Sequence, residues 1–196
     1  MPDSSRLRVA VIVGSTRNDR FAPVPAHWIA EQARAHGDFE VDVIDLLEER
    51  LPVIFNGDDP EAPLPDEVKA LAPRIEAADA FVVVTAVYNR GYPASLKNAV
   101  DWFYSEWNAK PVGFVSYGGV GGGLHAVEQL RLVFNELHAA CIRDAVSFAN
   151  YWEVFDDQGT PRESHAVDGY AKTLLDQLSW WGHALRDART KRPYKV

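Results

Sequence analysis

Apolar and polar positions along this chain follow two rhythms that alternate. The run Leu7–Val13 (LRVAVIV) is almost continuously apolar and β-branched, which predicts a strand buried on both faces. A helical period follows over 22–36, carrying Val24, Trp28 and Ala35. Residues 39–46 (FEVDVIDL) alternate Phe39, Val41 and Val43 with Glu40 and Asp42, as a strand nearer a sheet edge does. The acidic, proline-rich stretch from Glu48 to Pro65 predicts a long surface loop, followed by a short helix over 66–78. Ala78–Val87 (ADAFVVVTAV) predicts a third strand, again buried. From Ser95 to Trp107, one helical face collects Leu96, Ala99, Val100, Phe103 and Trp107, with Pro93 well placed near the helix start. A fourth strand over 110–119 ends in glycine. A helix over 124–140 groups Leu130, Val133, Phe134 and Leu137. A fifth strand covers 142–151, and a last helix over 164–187 stacks Tyr170, Thr173, Leu174, Gln177, Leu178 and Trp181.

Strand and helix therefore alternate five times, the signature of an α/β domain with an open parallel sheet between two helical layers. Right-handed crossovers leave few topologies, and five strands suit the flavodoxin-like order 2-1-3-4-5. A chain of 196 residues is enough for one compact domain, here taken as 1–196 with flexible termini at 1–5 and 190–196. In such sheets ligands bind beyond the carboxyl ends of the strands, where the strand order reverses. The loops after strands one, three and four are thus the places to look.

Composition narrows the class. Apolar residues make up 47% of the chain, ordinary for a globular protein, and no apolar run is long enough for a membrane helix. The N-terminal MPDSSRLR carries no apolar signal core, so a cytoplasmic protein is expected. A net charge of −8 argues against nucleic-acid binding but leaves room for a small anion held by local dipoles and one or two cations. Cys141, the only cysteine, reads as a buried structural thiol. His125 and His138 have no metal-ligand spacing, and no metal site is expected. Lys97 and Asp101 are spaced as a helical ion pair.

The chemistry sits in three loops. After strand one come Gly14, Ser15, Thr16 and Arg17: a residue that permits a tight turn, two hydroxyls and a guanidinium. With backbone N–H groups and a helix N-terminus nearby, the loop suits a phosphate, though an ordinary capped turn has the same residues. Neither Gly-Lys-Ser/Thr nor G-x-G-x-x-G is present. After strand three, Tyr88 offers a planar face and Asn89 an amide, which together can address a flat heteroaromatic ring; the same residues also suit a plain turn at Asn89 and Gly91. After strand four, SYGGVGGG places five glycines among positions 118–123, so bare N–H donors can approach a ligand, or the loop is simply flexible. Taken together, a phosphate cradle, an aromatic with an amide, and exposed N–H groups match a mononucleotide with a large flat ring.

GSTR after strand one, YNRGYPASLKNAVDW (Tyr88–Trp102) after strand three and SYGGVGGG (Ser116–Gly123) after strand four resemble the NADPH-dependent FMN reductase family, over about Leu7 to Val154. The resemblance implies a flavodoxin-like three-layer fold, bound FMN, NADPH or NADH as electron donor, and a homodimer or homotetramer. By position it implies that Ser15 and Arg17, completed by Arg20 and Phe21 and accompanied by Gly14 and Thr16, hold the phosphate. It implies that Val87, Tyr88, Asn89 and Arg90 border the ribityl chain and ring, and that Ser116, Tyr117, Gly118 and Gly119 line the ring's polar edge. Ala86 and Val87 stand where many members have Pro-Glu, and Arg90 and Gly91 replace smaller or polar residues. The implied activity is hydride transfer from NAD(P)H through FMN to a flavin, quinone or similar small acceptor, with no side-chain acid or base required. Gly118 and Gly119 N–H groups are the expected stabilisers of charge on the ring. The competing reading is a flavodoxin-type electron carrier or FMN-binding module without NAD(P)H oxidase activity. A receiver domain or a low-mass phosphatase fits poorly, since Thr85 and Ala86 end strand three and no cysteine leads the first loop.

Overall fold

A computed structural model describes residues 6–55 and 62–195. Five parallel strands form one sheet: β1 (Leu7–Val13), β2 (Phe39–Asp45), β3 (Ala80–Ala86), β4 (Pro111–Tyr117) and β5 (Ala140–Phe148), in the order β2-β1-β3-β4-β5. This is the expected topology, with β2 at an edge and the order reversing between β1 and β3. The side-chain period of two explains the unbroken apolar run of β1. Leu7, Val9, Val11 and Val13 enter one core with Trp28, Ile29, Leu174 and Leu178, while Ala10 and Ile12 enter the other with Leu71, Ile75 and Phe81. The first core lies under α1 (Pro23–His36) and the last helix. The second lies under α3 (Asp66–Ala77), α4 (Ala94–Trp102) and α5 (Leu124–Glu136). A short α2 (Leu46–Glu49) begins where Asp45 accepts the Leu47 N–H, as an N-cap does.

Four expectations change. The helix drawn over 95–107 stops at Trp102, and Phe103 is extended (φ −125°, ψ 138°) before a 3₁₀ turn at Ser105–Trp107. Phe103 and Trp107 still enter the core, because the reversed chain lets the buried Trp107 indole donate to Phe103 O (2.8 Å) and Val100 O (3.2 Å). The helix over 124–140 ends at Glu136, and His138 is left-handed with φ 57°. The fifth strand begins at Ala140 and ends at Phe148; Asn150, at φ 45°, turns the chain into α6 (Tyr151–Val154). The last helix, α7 (Ser164–Lys191), continues through Thr190 and Lys191, which were expected in a flexible tail. Its end is fastened: Arg189 donates to Ala109 O and pairs with Asp79, and the Tyr194 hydroxyl bonds His138 Nδ1 at 3.0 Å.

The expected loop at 48–65 is described only in part, since 56–61 lie outside the described residues, as do the expected flexible residues 1–5. Its first half is anchored. Asn98 donates to Leu51 O and Pro52 O, Trp102 donates to Pro52 O (2.8 Å), and Phe55 stacks on Trp102 at 4.1 Å. Lys97 and Asp101 do form the helical ion pair. Cys141 is half-buried rather than fully buried, and burial pushes its thiol up to about 11. Trp180 and Trp181 are exposed on α7. No helix among the described residues is long and apolar enough to cross a membrane.

Candidate functional site

The carboxyl ends of β1, β3 and β4 lie side by side, since Val13 is level with Val84 and Ala86 with Tyr117. Their loops frame a cleft of about 430 Å³, within the range of small-molecule sites. Its wall is formed by Arg17–Phe21 from the first loop, Ala86–Tyr88 from the second, Tyr117–Gly119 from the third, and Tyr151 from α6.

The first loop leaves the sheet at Gly14, whose N–H bonds Val84 O at 2.9 Å. A Cβ here would stand 3.0 Å from that carbonyl and 3.2 Å from Leu96, so glycine answers a close approach rather than a left-handed turn. Ser15 is fully buried, and its Oγ shares a 2.6 Å hydrogen bond with the Tyr88 hydroxyl while accepting the Arg17 N–H at 3.4 Å. It therefore joins the first loop to the second and does not face the cleft. Thr16 faces a separate hollow shared with Leu51, Ser95 and Asn98.

The two arginines divide the work. Arg20 donates to Ser15 O (3.0 Å) and pairs with Asp45 at 2.5 Å, both side chains being mostly buried, so it fixes the loop. Arg17 is exposed over the Tyr88 ring (5.9 Å to the centroid) and has no carboxylate partner among the described residues. Its charge is the one left for an anion.

The helix N-terminus contributes less than the sequence suggests. Pro23 and Pro25 have no N–H, Val24 N–H bonds Phe21 O and Ala26 N–H bonds Ala22 O. Free donors belong instead to the loop, where Thr16, Asn18 and Asp19 N–H groups have no partner among the described residues.

Tyr88 to Gly91 is a tight reversal closed by Tyr88 N–H to Gly91 O (2.8 Å) and Gly91 N–H to Tyr88 O (2.9 Å). Asn89 (φ 49°) and Arg90 (φ 70°) occupy its left-handed centre, as in a type I′ turn, and Gly91 does not. Asn89 and Arg90 lie at the exposed tip, outside the cleft wall, so the amide expected against the ring is a turn residue here.

In the third loop Ser116 is buried, its hydroxyl donating to Gly122 O at 2.8 Å, a bond that Ser147 repeats from β5. Both bonds shape the glycine loop, and Ser116 does not reach the cleft. Gly118 is required by packing, since a Cβ would stand 2.7 Å from Val87 Cγ1. Its N–H is engaged by Phe148 O (3.1 Å), which removes one of the two donors expected at the ring. The Gly119 N–H has no partner among the described residues and remains available.

Tyr117 is the most informative wall residue. It is only 4% exposed, and its hydroxyl has no hydrogen-bond partner among the described residues, the nearby Ser15 hydroxyl being bonded to Tyr88. Burial first, then the neighbouring Tyr88, holds that hydroxyl far above the usual phenol range, so it stays protonated and able to donate. A buried, unpartnered hydroxyl is costly unless a ligand meets it.

Sequence reasoning named Phe21, Tyr88 and Tyr117 but missed Tyr151 and Phe155 in the aromatic wall. Tyr151 packs on Phe21 at 4.4 Å and edge-on to Tyr117 at 5.4 Å, and Phe155 packs on Phe21 at 5.3 Å. The signal was Asn150 before Tyr151, a residue that tolerates the left-handed turn ending the strand. Asp45, the anchor of Arg20, carried no signal beyond ending the second strand.

Comparison with known proteins bears on family and fold. Residues 7–153 match the model of the family described as NADPH-dependent FMN reductase. An NAD(P)H-dependent FMN reductase of Schizosaccharomyces pombe is 42% identical over 123 residues, 59% of this chain and 60% of that protein. A 2-hydroxy-1,4-benzoquinone reductase of a Burkholderia species is 31% identical over 190 residues, 93% of this chain and 98% of that one. Among solved structures, the flavoenzyme NAD(P)H:(acceptor) oxidoreductase FerB of Paracoccus denitrificans superposes with a TM-score of 0.75 at 26% identity, covering 89% of this chain and 98% of that chain. The chain belongs to the NADPH-dependent FMN reductase family.

Proposed function

We propose that the cleft holds FMN and that the protein is an enzyme passing hydride from NAD(P)H through FMN to a quinone or flavin acceptor. The observation that carries this reading is the Tyr117 hydroxyl: buried, unpartnered and protonated in a cleft wall that also offers the free Gly119 N–H. The donor set fits the group. Arg17 and the loop N–H groups at Asn18 and Asp19 would hold the phosphate, with Arg20 and Ser15 fixing the loop from behind. Val87, Tyr88, Tyr117 and Gly119 bound the flat ring, and Phe21 and Tyr151 exclude water from its edge.

Bound FMN supplies the two-electron chemistry, accepting hydride from NAD(P)H and delivering the electrons onward. With a quinone the balance is NAD(P)H, one proton and quinone giving NAD(P)⁺ and hydroquinone. The chain's own part is to bind, orient and shield, and Gly119 and Gly121 put no side chain of their own in the way of donor and acceptor.

The test is steady-state oxidation of NADPH and NADH by the FMN-loaded protein with menadione or free FMN as acceptor. Turnover is expected with both acceptors. Tight FMN binding with no NAD(P)H oxidation would establish the electron-carrier alternative instead.

The protein is also read as a cytoplasmic homo-oligomer. Support for self-association comes from the anchored loop at Leu51–Phe55, which holds Val53 and Ile54 more than three-quarters exposed, a preorganised apolar contact for a second subunit. Light scattering is expected to give two or four times the 21.8 kDa chain mass, and a monomer would overturn the assignment.

A further inference from the structure

We infer that Trp152 forms an aromatic lip on the cleft and stacks against the ring of a planar quinone acceptor; this rests on the function proposed above. Trp152 is 57% exposed, with an aromatic face open to a ligand. It is not loosely placed. The start of α6 is bonded to the glycine loop, with Asn150 N–H to Gly119 O at 3.0 Å and Tyr151 N–H to Gly118 O at 3.4 Å. The indole packs edge-on to Tyr151 (5.2 Å, 74°), itself part of the cleft wall. Its Cη2 lies 3.9 Å from where a Gly119 Cβ would be.

The surroundings leave its face accessible. At 57% exposed, much of the indole lies clear of the rest of the chain. A fixed, half-exposed, electron-rich ring beside the site of electron delivery complements an electron-poor ring. Quinones have that character. An acceptor without a ring gains nothing from it. Trp152 is therefore a specificity-determining residue for the acceptor, and it plays no part in holding FMN.

The test compares wild type, W152A and W152F, each loaded with FMN and kept oxidised. Calorimetric titration with menadione reads binding without turnover. W152A is expected to weaken menadione binding about three- to tenfold, the range of one aromatic pair, and W152F to recover most of it. FMN affinity and the rate of ferricyanide reduction by NADPH are expected to change less than twofold. Unchanged menadione affinity in W152A, or an equal loss with ferricyanide, would overturn the inference while leaving the proposed function intact. A wild-type protein that takes up no FMN would overturn both.

Discussion

Residue by residue, the site is a set of donors awaiting a partner. Tyr117 shows the logic most sharply, because its hydroxyl should harm the empty protein and help the loaded one. An unpartnered buried hydroxyl costs on the order of 1–3 kcal/mol. Tyr117→Phe is therefore expected to raise the stability of the FMN-free protein by about 1 kcal/mol while weakening FMN binding several-fold. Denaturant unfolding of the FMN-free protein and an FMN titration read the two effects separately; a destabilised apoprotein with unaltered FMN affinity would deny Tyr117 this role. At this scale the sequence supplies residue types without their hydrogen-bond partners. Residue types at Ser15, Tyr88 and Ser116 suggested ligand contacts, yet Ser15 and Tyr88 share their hydroxyls between two loops and Ser116 spends its own within the glycine loop. Type and spacing place a side chain near a site but do not say which way it is satisfied. That depends on packing between segments such as Ser15 and Tyr88, which are 73 residues apart.

Among the elements, the apolar rhythm located the strands well because each core strand buries residues on both faces, a pattern few other elements produce. It failed where burial does not require regular structure. Phe103 and Trp107 keep the helical spacing of Leu96 and Val100 but reach the core through a reversed chain. Polar positions carried no rhythm to read, and Lys110 is an example. Only 6% exposed, it donates to Ile75 O and Glu76 O at the last turn of α3, a favourable place for a cation. Burial, then the nearby Arg189, nevertheless pulls its pKa from 10.5 down to about 8. Between those two values the unfolded chain binds more protons than the folded one, so this group makes stability rise with pH across that window and leaves it flat below about 8. Unfolding measured from pH 7 to 10.5 should show a larger rise in wild type than in Lys110→Met, by a few kcal/mol at most. Equal slopes would mean that Lys110 titrates normally.

For the molecule as a whole, strand order and the place where it reverses were legible because short right-handed crossovers leave so few alternatives. The position of the cleft followed from that topology before any side chain was placed. What topology could not supply was the closing wall, since Tyr151 comes from a short helix after the last strand, beyond the three loops where the strand order directs attention. The three motifs also share labour in a way their spacing did not reveal. All three loops border the cleft, and Asn98 and Trp102 at the end of the longest motif also hold the Leu51–Phe55 loop. The central claim is that the cleft is an FMN site whose phosphate is met by the unpaired Arg17. Titration of the flavin-free protein with FMN, followed by quenching of flavin fluorescence, tests it most directly. Saturable binding at one FMN per chain is predicted, weakened about ten- to a hundredfold in Arg17→Ala, as for loss of one charge-assisted contact. No saturable binding by the wild type would contradict the account, and equal affinity in the variant would contradict the role given to Arg17.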